Sequence, residues 1–445
     1  MVVPSLSEGF LNTILEARVN SKSVIAFDVG GNKEAIRNKE IGISVSAKGS
    51  GKLADALLTV LNGKKMGAKK IKILFLIDRL LPGGTEKQLL FLTESLPRAS
   101  FEPVIGVLQE TEFQKGLKLA TPIVDFGWHG LPIIKTFSLT WKLRKYIKSE
   151  RFDIVQTHLN EAGIYGGVAL RLIRNRPYLI GTRRDLYHWI NEELIEFQLY
   201  RLTGKFADKI LVNSGSVFAK CQKLEHVPSE KIVLIQNGVE IDRFNGVSAE
   251  NAKKKIGLDG HYPVVGVVGN WRPVKGLIPF LDAAYQVFRE YPCALFVLAG
   301  FGEQKDELIK HSQELGIEGR VILLESPPNI NEVISALDIA VQPSLSESFS
   351  NVLLEYMAAS KAIVATRVGD AEGAIEDGHE GLLVHPGNAE ELSEGILFLC
   401  RNRSKADEMG KRAREKVERK WQASKILATY VRFYQELVER RNGSK

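Results

Sequence analysis

The sequence predicts an α/β protein in which two doubly wound parallel-sheet domains follow one another, preceded by a partial α/β fragment. Three observations carry that expectation. Short, continuously apolar runs such as 71–77 alternate with helical stretches, the pattern of strands buried on both faces of a parallel sheet. The alternation pauses at the Asn237-Gly238 turn and restarts at about 263. The opening of the chain also repeats a later stretch. Pro4-Ser5-Leu6-Ser7-Glu8 recurs as Pro343-Ser344-Leu345-Ser346-Glu347, and the same offset of 339 pairs Phe10 with Phe349, Asn12 with Asn351, Glu16 with Glu355, Gly30 with Gly369 and Gly42 with Gly381. About a third of roughly 60 positions match without a gap, which marks one duplicated piece and not a solenoid.

At 445 residues the chain exceeds one ordinary core, so two or three domains are expected. With 44% hydrophobic and 25% charged residues it reads as soluble and globular. No apolar run reaches the roughly 20 residues that span a bilayer. The first ten residues lack the basic start and apolar centre of a signal peptide. Cys221, Cys293 and Cys400 are widely spaced and odd in number, and form neither a metal pattern nor a disulfide frame; a reducing cytoplasm is the expected compartment. The net charge of +7 fits a solvated basic surface, or attraction to anionic lipid or a phosphorylated substrate. The segment 141–148, WKLRKYIK, reads either as the outer face of a helix packed on a sheet or as a basic amphipathic helix lying on a membrane. Nothing interleaves aromatics among basic residues as a nucleic-acid module does, so nucleic acid is not an expected partner.

Residues 1–65 read as helix, short strand, helix, short strand, helix, without the strands that ought to precede them. A piece of that size lacking half its sheet is marginal alone. A polar break at Asn62-Gly63-Lys64-Lys65 follows, and the chain from Met66 onward reads like an ordinary protein start. The expectation is that 1–65 is the tail of a neighbouring paralogue fused to an intact enzyme; the rival is that it docks on or swaps with its downstream twin. Lys48-Gly49-Ser50-Gly51-Lys52 is set aside as a phosphate loop, because a Walker A needs Gly where Ser46 stands and Ser or Thr where Leu53 stands.

In the first full domain, 66–249, strands are expected at 71–77, 103–108, 122–126, 153–157, 178–182, 209–213 and 232–236, with ligands at their carboxyl ends. Gly83-Gly84 follows the first; it allows close backbone approach and opens a helix, or is an ordinary turn. His158 follows the 153–157 strand, where a satisfied structural histidine fits as well as a site residue. Arg183, Arg184 and Asp185 follow 178–182, as part of the rim or as a solvated loop. In the second domain, 250–423, strands are expected at 263–268, 295–299, 321–324, 339–341, 361–366 and 381–384. The loop after the first carries Arg272 and Lys275, a fork and a point charge able to clamp a diphosphate, or a solvated basic turn. Gly300-Phe301-Gly302 is a second close-approach loop. Neither loop completes GxGxxG, so a dehydrogenase is not expected. The stretch SLSESFSNVLLEYM, residues 344–357, organises the rest. Glu347 stands in a polar turn before an apolar-periodic helix and Glu355 eight residues on, about 12 Å away along a helix. The helix N-terminus between them offers N–H groups and a positive dipole end to a diphosphate. The plainer reading is a surface helix with two solvated acids.

Together, Gly83-Gly84 with Glu86, His158, Asn237-Gly238-Val239 with Phe244, Arg272 with Lys275-Gly276, Ala299-Gly300-Phe301-Gly302, and Glu347 with Glu355 resemble family 4 of the retaining glycosyltransferases, which have the GT-B fold. The resemblance runs from Met66 to about Arg441. Residues 1–65 resemble the back half of the family's second domain, through Glu8-Gly9-Phe10 and Glu16. It implies two Rossmann-like domains facing a cleft, the acceptor on the first and a nucleotide-diphospho-sugar donor on the second, with a final helix, 424–445, crossing back. It implies Arg272 and Lys275 on the donor diphosphate, Glu347 on a sugar hydroxyl and Glu355 on the ribose. The backbone of Ser348, Phe349, Ser350 and Asn351 would lie near phosphate and sugar. His158 would touch the sugar from across the cleft, with Gly83 and Gly84 beside the reacting centre and Gly300 and Gly302 close to the donor. The implied reaction is transfer with retention to a glycan or lipid-linked acceptor of surface polysaccharide or glycolipid synthesis, with no cofactor. No metal is implied, since no D-x-D pair stands near the diphosphate. The implied location is cytoplasmic, with peripheral contact to an anionic membrane as one reading of the charge. A nucleotide-sugar epimerase and a non-catalytic nucleotide-sugar binder are the alternatives.

Two positions depart from the family pattern. Ser348 stands where a Gly is usual, and Asp370 replaces a second Gly; the upstream copy keeps both, as Gly9 and Gly31. If position 348 needs positive φ, Ser is strained by roughly 1–2 kcal/mol. If it needs only space, the hydroxyl narrows the donor site.

Overall fold

A computed structural model of the chain describes residues 2–3, 24–27, 42–45, 70–128, 133–184 and 195–443. The expectations for Glu8, Gly9, Phe10, Glu16, the 48–52 loop, Met66 and Asp185 lie outside the described residues.

The opening fragment holds three parallel strands in spatial order, β1 (Val2–Val3), β2 (Val24–Phe27) and β3 (Gly42–Val45). β1 stands before the expected first helix; two valines are too short a run to show a strand period.

The first lobe is a seven-stranded sheet: β4 (Ile71–Ile77), β5 (Phe101–Val107), β6 (Ile123–Asp125), β7 (Ile154–His158), β8 (Tyr178–Arg183), β9 (Lys209–Val212) and β10 (Ile232–Leu234), in order β10-β9-β8-β7-β4-β5-β6. The second is six-stranded: β11 (Val264–Val268), β12 (Leu295–Gly300), β13 (Val321–Glu325), β14 (Ile339–Gln342), β15 (Ala362–Thr366) and β16 (Leu382–Val384), in order β13-β12-β11-β14-β15-β16. Strand order reverses beside β4 in one sheet and beside β11 in the other. At such a reversal the connections leave in opposite directions and open a crevice at the strands' carboxyl ends. The loops after β11 and β14 therefore emerge side by side, and they are the two that carry Arg272, Lys275 and Glu347.

The upstream and downstream sheets share a register. Val2 faces Ile25, and Ile25 faces Ile43. In β14, β15 and β16, Val341 faces Val364, and Val364 faces Leu382. Each downstream residue stands 339 positions after its upstream counterpart.

The helices used below are α1 (Gly84–Ser95), α2 (Ile133–Glu150), α3 (Asn160–Arg171), α4 (Ile195–Phe206), α5 (Gly215–Lys223), α6 (Leu277–Glu290), α7 (Asn351–Ala358), α8 (Arg403–Lys420) and α9 (Ala423–Gly443). Strand residues Leu74, Leu76, Val155 and Ile210 share one core with Leu139, Leu143 and Ile147 of α2. In the second lobe Val265, Phe296, Leu298 and Val364 meet Phe280, Leu281 and Ala284 of α6. These are the positions that continuous strand runs and helical spacing single out. After α8 the chain returns to the first lobe. Val239 N donates to Trp421 O and Ala423 N to Val239 O, both at 2.9 Å. Further along α9, the buried Tyr434 hydroxyl donates to Gln156 Oε1 of β7 at 2.6 Å.

Arg183 ends β8 and Arg184 follows it, and the two point to opposite sides, as the alternation of an extended chain requires. Arg183 lies in the first-lobe core, 1% exposed, and makes two 2.9 Å bonds to Glu225, which is fully buried. Thr203 Oγ1 accepts a third bond at 2.7 Å, and the Tyr200 ring centroid lies 3.9 Å from the guanidinium. Removing one member of such a pair leaves an uncompensated buried charge. Glu225→Gln is expected to lower the unfolding free energy by about 3–5 kcal/mol in urea titration. The double change Arg183→Met with Glu225→Met should cost less than that single change.

Candidate active site

Loops at the carboxyl ends of both sheets, those after β4, β11 and β14 among them, line a cleft of about 630 Å³. From the second lobe, Arg272, Lys275, Glu347 and the run Ser348 to Asn351 line it; from the first, Gly83, Gly84, Glu86, Arg184, Asn213 and Asn237 do.

The second-lobe wall is built on one close approach. Pro273–Lys275 is a single 3-10 turn, and Gly276 closes it with φ +66°. A Cβ at Gly276 would stand 2.0 Å from Pro343 O, so only glycine fits there. Leu345 N donates to Val274 O at 2.8 Å, sewing the basic turn to the acidic loop. Thr366 Oγ1 holds that loop from beneath through Ser344 O at 2.6 Å. Lys275 and Glu347 then meet as an ion pair, 28% and 17% exposed, with Ser344 Oγ donating to the same Glu347 oxygen at 3.3 Å. Arg272 stands exposed on the same wall. Ser350 caps α7 by accepting from Leu353 N at 3.3 Å. Gly302 abuts the Trp271 backbone, where a Cβ would come within 2.3 Å of Trp271 O. Gly300 lies under that loop against Gly269 O and does not line the cleft. Phe349, which also lines the cleft, turns its ring onto Trp421, 5.6 Å between centroids.

Glu355 is not on this wall. It lines an adjoining pocket of about 310 Å³, with Asn351 common to both. It is buried and ion-paired with Lys87 of α1. Asn351 bridges the two lobes, donating to Gly84 O at 3.1 Å and accepting from Gln88 Nε2 at 3.2 Å. The reading of two solvated acids on a surface helix does not hold for this pair: both carboxylates are largely covered and both are matched by a lysine.

His158 also stands apart from the cleft lining. It is fully buried behind the wall, its ring 6.3 Å from that of Phe75. Tyr434 donates to Gln156 Oε1, and the Gln156 amide nitrogen faces His158 Nε2 at 3.1 Å. Nδ1 has no partner among the described residues. The sequence pointed to this residue from its place after a strand, which does not tell an inward ring from an exposed one.

Glu86 lies across its own loop. A Cβ at Gly83 would be 2.3 Å from Glu86 Oε2, the mobile end of a side chain that can turn aside, and burial raises the carboxyl's pKa above its usual value. Ser348 is not among the positive-φ residues, so the expected strain is absent. Its hydroxyl donates to Arg184 O at 2.6 Å and accepts from Asn213 Nδ2 at 3.3 Å. Asp370 adopts φ −96° and its carboxylate receives Gly215 N and Ser216 N at 2.8 and 3.2 Å.

Arg184 is a lining residue, not part of a solvated loop, and Asn237 is more than a linker turn: it accepts from Arg184 at 2.8 Å and donates to Phe349 O at 3.0 Å. Lys87, Gln88, Asn213 and Glu303 were not singled out from sequence. Asn213 directly follows β9, and its place at a strand's carboxyl end was the available signal. Outside the cleft lining, Glu376, His379 and Glu380 bring potential metal-ligand atoms within 4.8 Å of one another, but Glu380 already pairs with Lys416.

Residues 82–243 match the family described as Glycosyltransferase Family 4. Residues 248–416, and separately 1–63, match families described as Glycosyl transferases group 1. The chain is 31% identical over 216 residues to the D-inositol 3-phosphate glycosyltransferase of Nocardia farcinica, covering 46% of this chain and 48% of that one. It spans about half the length of that relative. It is 27% identical over 310 residues to the N-acetyl-alpha-D-glucosaminyl L-malate synthase of Bacillus anthracis, covering 69% of this chain and 81% of the relative. Among solved structures, Anabaena HepE in complex with UDP-glucose superposes with a TM-score of 0.73 at 23% identity, covering 84% of this chain and 99% of that one. WaaG, a glycosyltransferase involved in lipopolysaccharide biosynthesis, gives 0.66 at 15% identity, covering 80% and 98%. The fold is the GT-B fold, as the sequence implied.

Burial first, and the positive Arg184 second, hold the His158 pKa well below its usual 6.5. The folded state therefore binds fewer protons than the unfolded one, and stability is lost as pH falls below 6.5. Between pH 7 and 5.5 the wild type should lose about 1 kcal/mol more unfolding free energy than His158→Gln, measured by urea titration. Asp78 acts in the opposite sense, since burial raises its pKa to about 7 while it accepts Ala162 N at 2.6 Å. It is common to both proteins and cancels in the comparison.

Proposed function

The chain belongs to the family 4, group 1 glycosyltransferases, and on that premise we propose that it moves a hexosyl group from a nucleoside-diphosphate sugar to an acceptor hydroxyl, with retention and without a metal ion. The observation that carries the reading is the Lys275–Glu347 pair beside Arg272, set before the N-terminus of α7. A diphosphate seated there takes Lys275 as counter-charge and frees Glu347 to accept from a sugar hydroxyl. The bond from the anomeric carbon to the diphosphate oxygen breaks, and the acceptor oxygen bonds to the same face. The acceptor's proton passes to the departing oxygen, so no separate base is needed. Arg272, Lys275 and the first N–H groups of α7 stabilise the charge that develops on the leaving group. Gly83 and Gly84 let the first-lobe backbone approach the reacting centre, and Gly302 does the same on the donor side. Glu355, with Lys87, is assigned to the ribose; His158, fully buried, is assigned no contact with the sugar. UDP and UDP-glucose complexes of the HepE structures support a uridine nucleotide as the donor's base.

The acceptor is proposed to be a glycan or a lipid-linked compound. An Escherichia coli relative, 26% identical over 263 residues, is named for transfer to a diphosphoundecaprenol-linked sugar. Supporting a membrane-bound acceptor, the outer face of α2 exposes Phe137 and Trp141, 73% and 61% accessible, in one stripe with Lys145 and Lys148. Arg144 lies 5.0 Å from the Trp141 ring centroid, and Leu172, just past α3, is 55% exposed. α3 packs between α2 and α4, so these residues share one helical layer. Aromatics flanked by cations suit an anionic bilayer surface. Among the described residues no helix is long and apolar enough to cross a membrane.

Lys275→Ala should lower kcat/KM by about 10²–10³, read as release of nucleoside diphosphate in the presence of acceptor. Turnover near the wild-type level would remove Lys275 from the mechanism. On the membrane side, co-sedimentation with vesicles containing phosphatidylglycerol should weaken about tenfold in the Phe137→Ala, Trp141→Ala double variant. Equal binding by both proteins, or equal binding to pure phosphatidylcholine, would refute that docking face.

A further inference from the structure

We propose that Ser348 and Asp370 are positioning residues that latch the two lobes together over the cleft, through contacts a glycine at either position lacks. Ser348 belongs to the second lobe, and both of its hydroxyl bonds go to the first: it donates to Arg184 O at 2.6 Å and accepts from Asn213 Nδ2 at 3.3 Å. Asn213 is 2% exposed, so this contact is sheltered from water. Asp370, also second-lobe, receives the first two backbone N–H groups of α5, Gly215 N at 2.8 Å and Ser216 N at 3.2 Å. Ser214 already caps α5 by accepting from Val217 N at 3.1 Å, so the Asp370 carboxylate completes the helix end and opposes its positive dipole. The two latch residues are themselves joined, Asp370 N donating to Ser348 O at 2.9 Å.

The contacts are additions to a common strip. Asn237 Nδ2 to Phe349 O at 3.0 Å and Asn351 Nδ2 to Gly84 O at 3.1 Å also cross between the lobes, and neither needs a side chain at 348 or 370. The upstream copy, with Gly9 and Gly31 at the equivalent positions, has no side chain to make either bond. The latch therefore shifts the balance between open and closed lobes toward closed. That lowers the free-energy cost of closing around a donor and opposes reopening.

The test compares the wild type with the double variant S348G/D370G, which keeps the common strip and removes the latch. Spin labels on Cys293, the exposed native cysteine of the second lobe, and on K118C, at an exposed first-lobe position, report the interlobe distance by pulsed dipolar spectroscopy; Cys221 and Cys400 are buried. A narrow distribution is expected in the wild type, with a longer and broader one in S348G/D370G. Affinity for uridine diphosphate, measured by calorimetry, should fall about tenfold in the variant. S348T, which keeps the hydroxyl, should retain the narrow distribution. D370A is a second disabling variant should S348G/D370G fold poorly by circular dichroism. An unchanged distance distribution in the disabled variants overturns the proposal. So does a loss of uridine diphosphate affinity with no change in distance, because Ser348 would then act only by touching the ligand. The kinetic consequence, a donor KM raised about tenfold with kcat within about twofold, rests on the transferase reading. The distance measurement does not. A shifted distance in a protein that transfers no sugar to any acceptor would leave the latch standing and remove the transferase.

Discussion

A lysine and a glutamate from two different loops hold each other where the order of one sheet reverses, and the cleft is built outward from that contact. It exists because β11 and β14 are neighbours whose following loops leave side by side. It is tight because Gly276 lets the basic turn meet the Pro343 carbonyl, and it is fixed because Leu345 N reaches Val274 O. Every other second-lobe feature of the cleft follows in chain order. Ser348 reaches the first lobe, Ser350 caps α7, and Glu355 descends to Lys87. A side chain at position 276 would push the two loops apart and separate the charges with them.

Much of this could be read from the sequence, for a physical reason. Parallel strands covered on both faces appear as continuous apolar runs, and residues just past them lie at the carboxyl ends where ligands gather. Arg272, Lys275, Glu347, Gly83 and Gly84 were legible in that way. What the sequence could not supply was direction. His158, Arg183 and Arg184 all stand at strand ends, yet two turn into the core and one into the cleft, and one residue of register decides which. Nor could spacing along α7 show that Glu355 would be taken by a lysine 268 positions away. Ser348 shows the same limit. Its backbone carries none of the strain that a glycine-only φ would bring, and its hydroxyl is occupied by the other lobe, a partner no spacing along the chain reveals.

The two lobes are also coupled through the end of the chain. α9 follows directly after second-lobe α8 and lies on the first lobe, where Tyr430 accepts from Arg184 at 3.1 Å and Tyr434 holds Gln156, whose amide meets the His158 ring. A cleft residue and a buried ring behind the wall thus both depend on the same helix. The buried Arg183–Glu225 pair anchors the strand from which Arg184 projects, so the rigidity of the first-lobe core is passed to the cleft surface through adjacent residues.

The shared register of the upstream and downstream strands has a consequence for how this polypeptide finds its fold. To the exposed edge of a growing sheet, two segments that offer strands in one register are competing tenants for one address. Backbone pairing cannot choose between them, so the choice falls to side-chain volume where the copies differ. Ribosomal synthesis delivers the upstream candidate well before β11 exists to receive either. Correct assembly of the second lobe is thus a matter of timing as well as of fit.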